Sequence, residues 1–390
     1  MQTGRLFYGV LDMGLGHATR SLPLLRAFLE GRWRLWVGSS GRALHVLRHE
    51  LPGAHFVELP DYGIVYGGRG AGAAVILPQV PRLLRRIRAE HVALRHFLEK
   101  QPVDLIISDQ RYGCWSPHIP SWFLTHQLRF IFPGGLRPLE GIGALWQRFF
   151  HRRFSCLVVP DQAHRDGGLL AGRLDRPMRK DHAVHHFGIL SSVARYSGIR
   201  PDLDVLVSIS GPEPQRTLFE NRALGQLAEL PGRRAAVLGR PESTGVENPR
   251  PDMTVYGHAD RALMQNLLNR SRMIVTRPGY STLMELAEIG RPALLVPTPG
   301  QTEQEYLARR MKSRGWFNWV EQDAMDLRRD LIPAAAYSGF PSLRPSADNV
   351  KNLMDVLTVS CRTRPGGMCS FRDIGDIMER AAHSDTEIAV

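Results

Sequence analysis

In this 390-residue chain the stretch best equipped for chemistry is Thr276-Arg277-Pro278-Gly279-Tyr280-Ser281-Thr282-Leu283-Met284-Glu285-Leu286. It follows an apolar run, Met273-Ile274-Val275, and opens a helix that ends at Gly290. A strand that feeds a glycine-containing turn and then a helix is an anion site. The free N–H groups of the first helical turn and the positive end of the helix dipole both face the turn. Glu285 lies one helical turn further in, placed to reach a sugar hydroxyl. Together these residue types point to a nucleoside diphosphate joined to a sugar.

Three other segments have the same strand-then-turn form. Ser208-Ile209-Ser210-Gly211-Pro212-Glu213-Pro214-Gln215-Arg216 suits a rigid loop around phosphate, with Arg216 adding charge; a plain strand-to-helix turn reads the same way. Thr298-Pro299-Gly300-Gln301-Thr302-Glu303-Gln304-Glu305 puts Gln304 and Glu305 in the first turn of a helix. There they are able to bind sugar hydroxyls or, equally, to cap the helix. Gly14-Leu15-Gly16-His17-Ala18-Thr19-Arg20 follows the first strand. Its glycines permit a tight turn and close backbone approach. His17 is the residue there whose pKa suits removal of a proton from an attacking hydroxyl. Asp109 and His126 end two further apolar runs and fall on the same rim as His17; each is also a common turn former.

The elements that must position these residues alternate. Apolar runs at 6–10, 34–38, 104–109, 122–126 and 156–160 are separated by helical patterns, the longest over 80–100. The alternation restarts at Val205, with strands expected at 205–209, 235–238, 253–256, 273–275 and 293–297. Strand–helix alternation indicates parallel sheets with βαβ crossovers. The expected fold is therefore α/β, with two Rossmann-like, doubly wound domains facing each other across a cleft. Residues 1–189 and 190–358 form the domains, and 359–390 a loosely ordered tail. Ligand sites in such sheets lie at the C-terminal ends of the strands, where every motif above falls.

Bulk composition narrows the class. Hydrophobic residues make up 43% and charged residues 23%, as in ordinary globular proteins. Four widely spaced cysteines read as reduced thiols, and no signal peptide or spanning segment is evident, so a cytoplasmic protein is expected. The charge is uneven: residues 1–190 hold 25 basic and 14 acidic side chains, residues 191–390 hold 25 and 24. A basic N-terminal half favours an anionic lipid or membrane-surface partner, including peripheral attachment at the inner face of the plasma membrane. Nucleic acid is disfavoured, because basic and aromatic residues do not interleave. Asp202-Leu203-Asp204 precedes its strand rather than following it, and His182, His185 and His186 lack zinc spacing. No metal or cofactor is expected.

At Thr276–Gly290 and Pro292–Tyr306 the chain resembles the two-domain GT-B glycosyltransferases of family 28, which include peptidoglycan N-acetylglucosaminyltransferases and plant galactolipid synthases. Gly16-His17 matches that family's acceptor-side loop. Gly14–Arg20 and Ser210–Arg216 look more like an uncharacterised bacterial and archaeal branch. The resemblance implies an inverting, metal-independent transfer of a hexose or N-acetylhexosamine from a UDP-sugar to an acceptor hydroxyl, on a lipid or cell-envelope glycan precursor. It implies His17 as base, with Asp109 and His126 as further catalytic residues. Donor contacts would come from Gly16, Ser210, Gly211, Arg216, Arg277, Gly279, Ser281, Thr282, Glu285, Gln304 and Glu305. The chain departs from the family pattern at Asp12-Met13, at Pro212-Glu213-Pro214 and at Glu305. Two alternatives share the fold class or the charge pattern: a nucleotide-sugar 2-epimerase, and a non-catalytic protein that binds nucleotide sugars or nucleic acid.

Overall fold

The computed structural model describes residues 3–64, 77–131, 139–177, 184–240, 243 and 245–362. They form two compact units. The first takes the described residues of Met1–Ile64, Pro78–Leu190 and Arg344–Val390, the second those of Val65–Leu77 and Ser191–Leu343.

In the first unit the order is β1 (Arg5–Val10), α1 (Leu15–Glu30), β2 (Arg34–Ser39), α2 (Gly41–Glu50), β3 (His55–Glu58), α3 (Val80–Lys100), β4 (Leu105–Asp109), β5 (Ser121–Leu124), α4 (Leu139–His151) and β6 (Cys156–Val159). A two-residue hairpin, β7 (Ala163–His164) and β8 (Gly167–Gly168), and strand β9 (Val184–His186) follow. The sheet runs β3-β2-β1-β4-β5-β6-β9, with every pairing parallel. Leu6, Phe7, Tyr8 and Val10 of the central strand are fully buried, because helices cover both faces of a parallel sheet. Chain order reverses between β1 and β4, which makes their C-terminal ends the switch point where doubly wound sheets bind ligands.

The second unit repeats the plan with β10 (Leu203–Ser208), α5 (Gln215–Ala228), β11 (Arg234–Val237), β12 (Val246–Arg250), β13 (Met253–Tyr256), α6 (Arg261–Arg270), β14 (Ser271–Thr276), α7 (Tyr280–Ile289), β15 (Ala293–Leu295), α8 (Thr302–Ser313), β16 (Asn318–Trp319) and α9 (Leu327–Ala334). Its sheet order is β12-β13-β11-β10-β14-β15-β16, parallel except for the exposed edge strand β12. The switch point here lies between β10 and β14. Val207, Phe219, Ala223, Ala236, Val275 and Leu294 are among the residues of its core. Gly290, at φ 67°, ends α7 in the left-handed conformation that glycine adopts without a Cβ penalty.

The expected boundary at residue 358 is corrected. Helix α10 (Ser346–Arg362) packs on α1 and so belongs with the first unit. It buries Val350, Leu353, Val356 and Leu357, and Asn349 Nδ2 donates to the Ile189 carbonyl at 3.1 Å. An amphipathic helix must bury its apolar stripe, and α1 offers the surface. The helix also carries the chain past 359, the expected start of the tail; residues 363–390 lie outside the described set, as does His182.

Beneath the first switch point is a polar core. Arg111 pairs through Nε with Glu90, and its other nitrogens donate to the carbonyls of Val10 (3.0 Å) and Pro60 (2.6 Å). Glu90 also accepts from Tyr62 Oη at 2.6 Å and from Gly113 N at 2.7 Å. Glu90 and Arg111 have no solvent exposure, and together they tie the turns after β1, β3 and β4. Removing one partner leaves an uncompensated buried charge. Glu90→Ala is expected to destabilise the first unit by about 3–5 kcal/mol in denaturant unfolding, whereas a cost below ~1 kcal/mol would mean the pair is not the tie described here.

Candidate functional site

The first-unit site is built on a single buried carboxylate. Asp109 ends β4, and α1 starts where β1 ends, at the neighbouring strand. Gly14 takes φ 82° to turn the chain into α1, so the residues that follow begin helically beside β4. His17, Arg20 and Ser21 then share a face at spacings of three and four. His17 Nδ1 lies 3.0 Å from Asp109 Oδ1, and Ser21 Oγ donates to Oδ2 at 3.0 Å. Arg20 donates Nε–H to Oδ2 at 2.9 Å, and its second terminal nitrogen reaches Oδ1. Arg20, Ser21 and Asp109 are buried, whereas the His17 side chain keeps 15% exposure.

Electrostatics assign the protons. Burial by itself raises the Asp109 pKa, but the Arg20 charge and then His17 outweigh it, holding the carboxyl well below the usual range. An ionised Asp109 makes His17 Nδ1 the N–H donor and leaves the lone pair on Nε2. Burial and the Arg20 charge lower the His17 pKa from 6.5, against the opposing pull of Asp109. The imidazole is therefore neutral near pH 7 and oriented by a carboxylate, the arrangement of a general base.

His126 stands behind Arg20, its Nδ1 accepting from the guanidinium at 2.8 Å, and its charge adds to the lowering of the His17 pKa. Gly16 sits beside His17 in the first turn of α1, its carbonyl accepting from Thr19 Oγ1 at 3.2 Å. Gln110, following Asp109, is held at φ 61° with its amide donating to Thr125 Oγ1 at 2.6 Å. A left-handed non-glycine residue beside the carboxylate marks a turn whose surroundings over-determine it.

The second-unit site gathers the turns after β10, β14 and β15. Helix α7 is preceded by Gly279, which makes no side-chain cap bond, and its N-terminal end faces the turn after β14. A Cβ on Gly279 would lie 3.6 Å from Thr282 Oγ1, and one on Gly211 would meet only Thr298 Oγ1, at 3.7 Å. Ser210 and Gly211 are exposed, and Ser281 and Thr282 are half-buried.

Two expected donor contacts are braces instead. Arg277 is 1% exposed and donates to the carbonyls of Val296 (3.0 Å), Pro297 (2.9 Å) and Gln215 (3.1 Å). It also bonds Gln322 and stacks on Phe219 at 4.2 Å, and burial lowers its pKa to about 9. It clamps the turns after β10, β14 and β15 from beneath. Arg216 is engaged with Glu213, with Glu220 at 2.6 Å and with the Leu238 carbonyl at 3.2 Å, which rigidifies the loop after β10.

Gln304 accepts from Thr298 N at 2.8 Å through Oε1. Glu305 accepts from Gly300 N and from Arg309, each at 3.1 Å. Both shape the 298–300 loop, Glu305 through Oε1 while its Oε2 pairs with Arg309 of α8, and the Gln304 amide N–H groups remain as donors. Glu285 accepts through Oε1 from Ser192 Oγ (3.1 Å) and from Arg261 (3.0 Å). Arg20, Ser192 and Arg261 were not singled out from sequence. Arg20 had a readable signal, its spacing from His17; Ser192 and Arg261 had none.

Residues 241–329 match the model of the glycosyltransferase family 28 C-terminal domain. A 73-residue stretch is 42% identical to a UDP-N-acetylglucosamine--N-acetylmuramyl-(pentapeptide) pyrophosphoryl-undecaprenol N-acetylglucosamine transferase of Methylobacterium radiotolerans, covering 18% of this chain and 20% of that relative. The stretch thus spans a fifth of the relative's length. The Serratia proteamaculans protein of the same name is 23% identical over 315 residues, 79% of this chain and 82% of its own. Among solved structures, the glycotransferase of kitacinnamycin superposes with a TM-score of 0.60 at 16% identity, covering 99% of both chains. MurG of Acinetobacter baumannii gives 0.53 at 11% identity, over 97% of this chain and 99% of its own. The fold is accordingly GT-B, two Rossmann-like units, as the sequence resemblance implied.

The His17 titration is directly observable. In the folded protein its ring resonances are expected to titrate below 6.5, and Arg20→Met is expected to move that pKa upward by removing the adjacent cation. Because the folded pKa is depressed, His17 makes stability fall as pH drops below 6.5 towards the folded value. An unchanged His17 titration in Arg20→Met would disprove the assigned electrostatics.

Proposed function

We propose that this protein is an inverting glycosyltransferase that moves a hexosyl or N-acetylhexosaminyl group from a UDP-sugar to an acceptor hydroxyl. The observation that carries this reading is the His17–Asp109 pair at one switch point, in a chain whose second unit bears the family 28 domain. In the proposed reaction His17 Nε2 takes the acceptor proton as the oxygen attacks the anomeric carbon. The bond from that carbon to the diphosphate oxygen breaks, and the configuration inverts. Charge developing on the departing UDP is met by the α7 N-terminus with Ser281 and Thr282, and by the Ser210–Gly211 turn. Preorganised donors of this kind supply several kcal/mol. The reading takes this stabilisation as sufficient without a divalent cation.

Glu285 would bind the ribose and the Gln304 amide would donate to the sugar. For the acceptor, two facts favour a lipid-linked glycan precursor met at an anionic membrane surface. Residues 1–190 hold 25 basic against 14 acidic side chains, and the relatives are named for transfer to a pyrophosphoryl-undecaprenol acceptor. No helix among the described residues is long and apolar enough to cross a membrane, so contact with the bilayer would be peripheral.

His17→Ala is expected to lower kcat by about 10²–10⁴-fold with the donor KM little changed, measured as sugar transfer with radiolabelled UDP-sugars. Full activity in that variant would remove His17 from the mechanism. Conversion of UDP-N-acetylglucosamine to its 2-epimer without any acceptor would instead establish epimerisation.

A further inference from the structure

A buried hydroxyl without a partner borders the turn after β10. Thr298 follows β15 and is 1% exposed, and its Oγ1 has no hydrogen-bond partner among the described residues. Its backbone is pinned on both sides. Thr298 N donates to Gln304 Oε1 at 2.8 Å, and its carbonyl accepts from Gln301 N at 3.1 Å. The two preceding carbonyls, of Val296 and Pro297, are held by Arg277 at 3.0 and 2.9 Å. A β-branched side chain is stiff at χ1, so on this fixed backbone Oγ1 is held where it stands. Threonine hydroxyls commonly bond a nearby backbone group. One that is buried and bonds nothing costs free energy, which valine, with the same shape, avoids.

What stands beside this hydroxyl is a second, separate observation. Gly211 is exposed and takes φ 117°, a conformation that favours glycine. A Cβ built on it would have Thr298 Oγ1 at 3.7 Å and, chain neighbours aside, no other described atom within 4 Å. The space a side chain would fill is thus open, with the unpartnered hydroxyl as its one near neighbour. An oxygen seated there needs to come only about 1 Å nearer to make an O–H···O bond. The turn lies at the C-terminal ends of the strands, and its glycine lets a bulky group approach the backbone. A phosphate oxygen suits the position because it is an acceptor only, and its charge strengthens the bond from a hydroxyl. We infer that Thr298 Oγ1 donates to a phosphate oxygen of a nucleoside diphosphate seated against Gly211. This rests on the proposed donor site and adds to it a residue whose side chain makes no other hydrogen bond.

The test is calorimetric binding of UDP to the full chain and to Thr298→Val and Thr298→Ser. Thr298→Val is expected to weaken UDP by about tenfold, the worth of a hydrogen bond to a charged group. Thr298→Ser keeps the hydroxyl and is expected to stay within about threefold of the native Kd. Uridine, which has no phosphate, is expected to bind native protein and Thr298→Val alike in an NMR titration. Without nucleotide, the unfolding midpoint of Thr298→Val is expected to equal or exceed the native value, since an orphaned buried hydroxyl is removed. If native protein and Thr298→Val bind UDP equally, the inference is overturned and the donor site stands. The same follows if Thr298→Ser loses as much as Thr298→Val, or if uridine is weakened as much as UDP. A lowered midpoint in Thr298→Val would give the hydroxyl a structural role and overturn it too. If the native protein does not bind UDP, the donor-site reading itself fails and the inference with it.

Discussion

Asp109 is a fully buried anion, and the first unit is organised around keeping it charged. An isolated carboxylate at that depth would take up a proton. Arg20 prevents this by bonding both oxygens, and Ser21 adds a third donor. Because Asp109 is ionised, His17 must present Nδ1–H to it and keep its lone pair on Nε2. One electrostatic constraint thus decides a tautomer and a ring orientation, while burial and the Arg20 charge lower the His17 pKa. The Glu90–Arg111 pair below fixes the turns from which this arrangement rises, so the site is supported by a second buried ion pair that never meets a ligand.

The second unit is arranged differently. Around the start of α7 it places two glycines and hydroxyl side chains, while Arg277 and Arg216 are engaged within the unit. Arg277 and Arg216 were natural candidates for phosphate contact because of their type and place in the sequence. Each is instead turned on carbonyls and carboxylates of its own unit. An arginine with five donors in a fixed fork is well suited to holding several turns at once.

Much of this was legible beforehand for identifiable reasons. Apolar runs such as Met273-Ile274-Val275 separated by helical patterns could only be a doubly wound sheet, and the polar residues ending those runs had to lie on one rim. Asp109 and His17 were recoverable because each ends or follows a strand at the switch point. Strands β9, β12 and β16 were missed because they are short or exposed, with little apolar signal. Helix α10 was assigned to the wrong unit because an amphipathic pattern tells that a face is buried and not against what.

The sequence alone determined the class of fold and placed four polar turns at the C-terminal ends of strands, the glycine-containing helix start among them. These follow from local rules: periodicity, turn composition and the dipole of a helix end. Tertiary structure decided which polar side chains are engaged with their own unit. It paired His17 with Asp109 across 92 positions and Ser192 with Glu285 across 93, buried Arg277, and engaged Arg216 and Glu305 with neighbouring side chains. The physical reason is that a side chain's role depends on which donors and acceptors lie within about 3 Å of it, and neighbours so distant along the chain leave no local trace.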